Sequence, residues 1–301
     1  MKYLITGGSG LIGKRITQEM LLKNNRVNWL SSSHKQQNGV ESFHWDIKAN
    51  KIDTDCFNEV DAIIHLAGAG VTDHNWTPAY KKEMIDSRIL STRLLFNSLK
   101  DLPQKPKVIV SASAIGIYGN ITEDLTLENA PAGDTFLAKL TQQWEEEVDW
   151  FEQLGIRVVK LRIGIVLAAE GGFLKKVAAP AKWGLGAALG NGKMITSWIH
   201  VNDLANMFLF AAHHENINGA YNAVAPHPVS NYEITKQIAK ALHKPFFMPN
   251  VPAFALRLVF GEMTSIILSS QHISSQKITN AGFTFQFNEI EPAINHLLAS
   301  K

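Results

Sequence analysis

The sequence predicts an α/β fold, in which a doubly wound parallel sheet is followed by a smaller α/β lobe. From the N-terminus to about residue 161, short apolar runs typical of buried strands alternate with segments of helical apolar spacing. This alternation is the pattern of a parallel sheet with crossover helices. Beyond Arg162, glycines interrupt the pattern and helical segments dominate, as expected of an added lobe.

The composition is that of an ordinary globular protein, with 46% hydrophobic and 19% charged residues among 301. The formal charge of +2 gives no electrostatic reason to expect nucleic acid or a membrane as partner. The single cysteine, Cys56, has no metal-ligand spacing and is interpreted as an ordinary thiol in a reducing compartment. No apolar run suits a secretory signal or a membrane span, so we expect a cytoplasmic protein. Because the cysteine has no metal-ligand spacing, we expect no metal site.

The first thirteen residues predict a dinucleotide-binding unit. An apolar run at 3–5 is typical of a buried strand, and Gly7, Gly10 and Gly13 follow at three-residue spacing before a helical pattern. One glycine permits a tight turn, one lets the backbone approach a pyrophosphate, and one lets helix and strand pack closely. The free N–H groups at the helix start then favour phosphate, which makes the sheet Rossmann-type.

Further strands and helices follow in alternation. We expect buried strands at 26–30, 42–45, 61–66, 107–110 and 156–161. We expect helices at 78–99, 136–154, 202–213, 232–242 and 254–270, with a closing segment at 283–298. The dinucleotide-binding domain is therefore placed at 1–165, with 198–215 returning to it. Segments 166–197 and 216–301 are assigned to a smaller substrate lobe.

The residues that end the second strand bear on the choice of cofactor. An NAD site usually has Asp or Glu there, to accept hydrogen bonds from the ribose hydroxyls. This chain has Ser31, Ser32, Ser33, His34 and Lys35. Hydroxyls and a cation suit a 2′-phosphate, so NADP is favoured over NAD; the other interpretation is a polar turn that contacts no ligand. Asp46, after the third strand, either meets the adenine amino group or caps the next turn.

Eight motifs resemble the extended short-chain dehydrogenase/reductase superfamily, and within it an atypical, epimerase-like family with an uncharacterised C-terminal segment. In order they are TGGSGLIG, HLAGAGV, DSRILSTRLL, SASAIGIYG, FLAKLTQQWE, RIGIVL, SWIHVNDLA and AGFTF. They span nearly the whole chain. The resemblance implies a Rossmann-type domain, bound NADP(H) or NAD(H), and a substrate cleft between domain and lobe.

The resemblance also implies roles for individual residues. The pyrophosphate would be held by Gly7, Ser9, Gly10, Leu11, Ile12 and Gly13. The segment beneath the adenosine ribose and the nicotinamide side would be Leu66, Ala67, Gly68 and Ala69. The segment after the sixth strand, near the nicotinamide, would be Arg162, Ile163 and Gly164. Ser113 matches the hydroxyl that hydrogen-bonds the reacting oxygen in active relatives, and His200 lies in the motif that borders the substrate cleft.

The chain departs from the family where proton transfer is concerned. Active relatives use a Tyr with a Lys four residues later, so that the ammonium lowers the pKa of the phenol. Here Phe136 and Leu140 stand at about those positions, and Lys139 is rotated by about 100° around the helix. Tyr118, on the loop after the fifth strand, is a better replacement for the missing Tyr than Tyr232 of the lobe. Its side chain either faces the cleft or packs against the loop. His200, whose usual pKa suits proton transfer, either takes part or holds a loop.

Two other patterns are set aside. Tyr232 and Lys236 repeat the Tyr–Lys spacing, but they lie far beyond the sixth strand, on a helix of the lobe. Glu145, Glu146 and Glu147 are interpreted as including a solvated helix face.

Two functions remain open. The first is an NADP-dependent oxidoreductase or epimerase-like enzyme that acts on a small carbonyl, alcohol or sugar-derived substrate. The second is a catalytically inactive NADP(H)-binding regulatory protein, such as one linked to cell division. Extended relatives often form homodimers through two long helices, here 78–99 and 136–154.

Overall fold

The computed structural model describes residues 1–33 and 37–298. Its strands are β1 (Lys2–Thr6), β2 (Arg26–Ser31), β3 (Val40–Asp46), β4 (Lys51–Ile52), β5 (Ala62–His65), β6 (Val108–Ala114), β7 (Ile121–Thr126), β8 (Arg157–Ile163), β9 (Ile165–Leu167), β10 (Ile195–Thr196), β11 (Trp198–His200), β12 (Gly219–Ala223), β13 (Val229–Ser230) and β14 (Gln271–Ile273). Its helices are α1 (Leu11–Leu22), α2 (Pro78–Lys100), α3 (Phe136–Asp149), α4 (Gly172–Ala181), α5 (Val201–His213), α6 (Asn231–Ala241), α7 (Ala253–Phe260), α8 (Thr264–Ile267), α9 (Gln276–Asn280) and α10 (Ile290–Leu298).

The main sheet has eight strands in the order β12–β8–β6–β5–β1–β2–β3–β4. All neighbours are parallel except β3 and β4, which form an antiparallel pair. This confirms the predicted doubly wound α/β class. The chain moves outward from β1 to β3 on one side and from β5 to β8 on the other. The order therefore reverses between β1 and β5, and ligands of such sheets bind beyond the carboxyl ends of the strands at that point.

The predicted helices are present, with two differences, and α4 (Gly172–Ala181) lies in a glycine-rich stretch where no helix was predicted. The helix expected at 136–154 ends at Asp149, and a 3₁₀ turn over Trp150–Leu154 continues it. The helix expected at 254–270 is broken into α7 and α8. Gly261 separates the two with a φ of +54°, a left-handed conformation that glycine adopts readily and that interrupts a helix.

Three pairs of short strands lie outside the main sheet: β9 with β11, β10 with β13, and β7 with β14. Helices α4, α6 and α10 share one apolar core, to which they contribute Leu174, Ile238 and Ile294. These three helices therefore form a second packed region beside the main sheet.

Two parts of the predicted lobe segment 216–301 pack with the main domain. Strand β12 is the edge strand of the main sheet, beside β8. Ile278, Phe283 and Phe285 also pack in the core of the main domain. A five-residue strand and a few aromatic residues carry no periodicity in the sequence that would place them in the main domain. Within the described residues, no helix is both long and apolar enough to cross a bilayer.

Candidate active site

The turn that joins β1 to α1 contains Gly7 and Gly10, and we call it the glycine turn. It lies where the order of the strands in the main sheet reverses. Gly7 has a φ of +69°, and its carbonyl accepts a hydrogen bond of 3.0 Å from the N–H of Gly10. A Cβ atom at Gly13 would lie 2.4 Å from that same carbonyl oxygen, so only glycine allows α1 to approach so closely. Helix α1 has no side-chain cap and no acidic residue in its first turn. Its N-terminus is thus suited to an anion.

The sequence alone did not single out Gly8, which has an equally strict requirement. A Cβ atom there would lie 2.5 Å from the indole ring of Trp29. The Trp29 indole N–H donates to Thr17 Oγ1 at 2.9 Å, which fixes the ring between β2 and α1. The signal for this requirement in the sequence was the second glycine of the Gly7–Gly8 pair.

The segment after β5 lies directly beside the glycine turn. The position of a Cβ at Gly7 would be 3.0 Å from the carbonyl of Leu66. The N–H groups of Leu66 and Ala67 both donate to Thr6 Oγ1 at 3.1 Å. That hydroxyl lies 2.8 Å from His65 Nδ1, and burial lowers the pKa of His65 to about 3. A neutral, buried histidine therefore holds this edge of the crevice.

The same segment is held on its other side by α2. The N–H of Ala69 donates to Ser87 Oγ at 2.9 Å. A Cβ at Gly68 would lie 3.1 Å from the guanidinium carbon of Arg88, so the backbone runs directly over that side chain. Residues 66–69 thus form a fixed wall beside the glycine turn.

The predicted cofactor-selecting residues lie at the ends of β2 and β3. Ser31 ends β2, and its Oγ accepts from the N–H of Ser33 at 3.3 Å. Ser32 is exposed, whereas His34 and Lys35 lie outside the described residues. Asp46 Oδ1 accepts from the N–H of Ala49 at 2.9 Å, which is the turn-capping alternative.

Ser113 and Arg162 face the same partner, a buried carboxylate on α3. The two residues are neighbours across β6 and β8. Ser113 Oγ donates to Glu145 Oε1 at 2.5 Å, and Arg162 binds both oxygens of that carboxylate at 2.8 Å. Burial by itself raises the pKa of Glu145, but the hydrogen bonds and charge of Arg162 outweigh it and leave that pKa lowered. The site therefore holds a fixed carboxylate behind a serine hydroxyl.

The interpretation of 145–147 as including a solvated helix face holds for Glu146. Glu147 is buried and pairs with Arg93 of α2 through a hydrogen bond of 2.8 Å. Glu145 is buried because it continues the stripe of Ala138 and Thr141 at helical spacing. That spacing was the signal available in the sequence for the burial of Glu145, but not for its partners.

Tyr118 is buried and does not present its hydroxyl to solvent. Its OH donates to Asn222 Oδ1 at 2.7 Å and accepts from Arg162 Nη1 at 2.8 Å. Burial raises the pKa of Tyr118, and the charge of Arg162 offsets only part of this shift. The amide of Asn222 in turn donates to the carbonyl of Ser274 at 3.0 Å. These contacts make Tyr118 a link between β8, β12 and the C-terminal segment.

His200 is also buried, with both ring nitrogens engaged. Its Nδ1 accepts from the N–H of Asn202 at 3.0 Å, which caps α5, and its Nε2 lies 3.1 Å from Nδ1 of His296. The ring stacks on Phe287 at 3.9 Å. Burial, followed by the neighbouring His296 and Arg15, lowers the pKa of His200 to about 3. These contacts match the loop-holding alternative.

Gly164 and Ile163 lie where β8 ends. A Cβ at Gly164 would lie 2.6 Å from the carbonyl oxygen of Ser197, so the strand end packs against the chain just before β11. Ile163 is half-buried and packs against the main core.

Apolar packing occupies the positions of the usual Tyr–Lys pair. The Phe136 ring meets Trp76 edge to face at 5.4 Å, with the Lys81 ammonium 5.2 Å from its centre. Leu140 is buried with Tyr80 of α2. Lys139 is exposed, as its rotation around the helix predicts. No proton-transferring side chain stands at either position.

A cavity of about 370 Å³ opens between the segment after β5 and the lobe. Its lining residues are Thr72, Asp73, His74, Asn75, Val259, Phe260 and Met263. One wall is therefore polar and the other apolar.

Similarity to solved structures identifies the class as the extended short-chain dehydrogenases/reductases. The human epimerase family protein SDR39U1 (isoform 2), crystallised with NADPH, matches over 100% of both chains with a TM-score of 0.89 and 27% identity. A nucleoside-diphosphate sugar epimerase from Corynebacterium glutamicum matches with a TM-score of 0.81 and 28% identity, over 100% of this chain and 59% of that one.

The chain belongs to the NAD dependent epimerase/dehydratase family, whose model matches residues 3–224. A second family model, a domain of unknown function (DUF1731), matches residues 251–297. An epimerase family protein of Staphylococcus aureus (strain MRSA252) is 34% identical over 302 residues, covering 99% of both chains. One from Mycobacterium leprae (strain TN) is 33% identical over 293 residues, covering 97% of this chain and 94% of the relative.

Proposed function

We propose that this protein binds NADP(H) and uses it in an oxidoreductase or epimerase-like reaction on a small alcohol, carbonyl or sugar-derived substrate. The observation that carries the proposal is the Ser113 hydroxyl at the carboxyl end of β6, backed by the Glu145 carboxylate at 2.5 Å. The glycine turn and the segment 66–69 supply a crevice of the expected form beside it. The cytoplasm is the expected location, and pairing of two copies through α2 and α3 stays a prediction.

The glycine turn would hold the pyrophosphate through the free N–H groups at the start of α1. The predicted contacts are Gly7, Ser9, Gly10, Leu11, Ile12 and Gly13. Ser31, Ser32, His34 and Lys35 would select the 2′-phosphate, and the NADPH bound to the human relative supports this choice. NAD(H) is the alternative, because the UDP-glucose 4-epimerase of Thermus thermophilus, which shares the fold at 21% identity, was crystallised with NAD. The bound nicotinamide would supply or accept the hydride.

The chain's own residues would handle the proton. Ser113 donates its hydrogen to Glu145, so its oxygen lone pairs are oriented to accept a hydrogen bond from a substrate hydroxyl. When a substrate alcohol is oxidised, its O–H proton would pass to Ser113 Oγ and the serine proton would pass to Glu145. The Glu145 carboxylate would thereby become a carboxylic acid. Reduction of a carbonyl would reverse these transfers after Glu145 takes up a proton from solvent.

Arg162 would act as a positioning residue in this scheme. Its two hydrogen bonds fix the carboxylate plane so that one oxygen faces Ser113. Because Arg162 also lowers the pKa of Glu145, the carboxylate is ionised at neutral pH and accepts the Ser113 hydrogen bond, although it is a weaker base than a free carboxylate. Tyr118 and His200, the other two candidates, have hydrogen-bond partners that favour structural roles.

Oxidation of NADPH with a broad panel of carbonyl compounds tests this proposal. Ser113→Ala and Glu145→Gln are each expected to reduce turnover about 100-fold or more, because positioned proton transfer contributes that much. Lys139→Gln, an exposed change on the same helix as Glu145, is the matched control and should retain activity. Full activity in Ser113→Ala would contradict the assignment.

A second function is favoured by a separate observation, the apolar packing of Phe136 and Leu140. In this alternative the protein keeps NADP(H) but has lost the chemistry, and serves as a regulatory protein, such as one linked to cell division. Cofactor binding without turnover of any carbonyl in the panel would favour it. Turnover of one compound that depends on Ser113 would count against it.

A further inference from the structure

The overall charge of +2 conceals a strongly uneven distribution. Segments 171–202 and 234–261 contain no acidic residue, although Glu170, Asp203, Glu233 and Glu262 border them. Together they hold eight of the 29 Lys and Arg and none of the 27 Asp and Glu, so the rest of the chain has a formal charge of −6. Two stretches of the lobe are therefore purely cationic.

The same two segments carry most of the exposed apolar side chains. Among residues with described exposure, seven large apolar side chains are more than half exposed. Six of the seven are Trp183, Leu185, Phe247, Phe254, Leu258 and Val259, with Trp183 and Leu258 both at 84%. The seventh is Leu22, which lies at the end of α1. Such a concentration marks an interaction surface rather than scattered exposure.

The two segments lie side by side in the structure. A Cβ at Gly184 would be 3.7 Å from Pro245, so the residue after Trp183 contacts the second segment. Val251 bridges to Leu189 across the segments, and its N–H donates to the carbonyl of Ala188 at 2.8 Å. We call the exposed apolar residues of these segments, with their cationic neighbours Lys182, Lys244 and Arg257, the cationic apolar surface.

Helix α7 shows how this surface is built. It buries Leu256, while Phe254 and Leu258 project outward at i and i+4, a spacing that forms one ridge. Arg257 stands beside this ridge and is exposed. Among the side chains that the structure describes, which do not include those of 121–124, no carboxylate forms an ion pair with Arg257, Lys182 or Lys244.

We propose that the cationic apolar surface docks the protein peripherally on an anionic lipid bilayer. Aromatic and aliphatic side chains insert at the boundary between headgroups and acyl chains, and flanking cations attract acidic headgroups. Trp183 is suited to this position because its ring is apolar with one polar N–H. Both segments lack carboxylates, whereas Asp73, which lines the cavity with Val259, and Glu262, which pairs with Lys81, lie outside them. The charges that the segments themselves supply are therefore all cationic and fit an anionic partner.

Vesicle flotation of the full-length protein tests the proposal. We expect binding to vesicles of phosphatidylcholine mixed with phosphatidylglycerol, weaker binding to phosphatidylcholine alone, and release at high salt. The double variant Trp183→Ser/Leu258→Ser should reduce the affinity for anionic vesicles by about tenfold or more. Leu22→Ser, an equally exposed change outside the surface, is the matched control and should bind as the unaltered protein does. Lys182→Gln/Lys244→Gln/Arg257→Gln should remove most of the salt dependence.

Three outcomes would overturn the proposal: no binding to anionic vesicles, binding that the double variant leaves unchanged, or a dimer in solution that the double variant dissociates. The last would identify a second copy of the chain as the occupant of the surface. NADPH titration of the double variant keeps this question separate from the proposed reaction, because cofactor affinity should be unchanged.

Discussion

Replacing Glu145 by glutamine tests whether its ion pair with Arg162 organises the site. The two side chains are 8% and 10% exposed and are joined by two hydrogen bonds of 2.8 Å. Glu145→Gln leaves a buried guanidinium without a counter-ion. Removing one partner of such a pair lowers the free energy of unfolding by roughly 3–5 kcal/mol. For a chain of this length, that corresponds to a fall in Tm of roughly 5–8 °C.

Glu147→Gln, two residues further along α3, is the matched control. Its partner Arg93 is 48% exposed, so water compensates the loss of the charge and the expected change is at most about 1 kcal/mol. Urea and thermal unfolding at neutral pH measure both variants. Equal losses of stability in the two variants would refute the conclusion that the Glu145–Arg162 pair is the more important one.

The pH dependence gives the same prediction a second readout. The pKa of Glu145 is lower in the folded protein than its usual value, so its ionised form stabilises the fold. That contribution is complete above the unfolded-state pKa of about 4.3 and is lost as the pH falls through the folded-state value. The difference in stability between the unaltered protein and Glu145→Gln should therefore be largest at neutral pH and shrink below about pH 4. A difference that grows on acidification would contradict this sign.

Three further predictions concern the cofactor site and the reaction. Gly8→Ala places a Cβ 2.5 Å from the Trp29 ring, so urea unfolding should show a loss of roughly 1–3 kcal/mol, and unchanged stability would contradict this packing. In titrations followed by intrinsic Trp fluorescence, NADPH should bind more tightly than NADH, and equal affinities would refute the interpretation of 31–35. The pKa of Tyr118 is raised, whereas those of Glu145 and His200 are lowered. Turnover should therefore show no titration of these groups between about pH 6 and 9, whereas a profile with a step near neutrality would require another acid or base.

The sequence predicted the centre of the fold well because its signals there are local. The apolar runs at β1, β5 and β6 and the glycines of the first turn each follow from neighbouring residues. Strand β12 was missed because it has five residues and becomes a strand only by pairing with β8, far earlier in the chain. The break between α7 and α8 was missed because an isolated glycine inside an apolar helical pattern is compatible with a continuous helix.

The candidate site could be predicted only in part. Ser113 and Arg162 were identified by motif, but their common partner Glu145 depends on how α3 lies across the sheet. Likewise, the engagement of Tyr118 and His200 depends on Asn222 and His296, residues distant in sequence. Hydrogen bonds of this kind follow from tertiary structure, and local spacing does not encode them.

Titration of the purified protein with NADPH and NADH, compared with Gly13→Ala, tests the central claim most directly. The glycine turn is expected to bind NADPH in preference to NADH. Gly13→Ala should abolish binding, because its Cβ would lie 2.4 Å from the Gly7 carbonyl and displace α1. Failure of the unaltered protein to bind either nucleotide, or equal binding by Gly13→Ala, would contradict the claim.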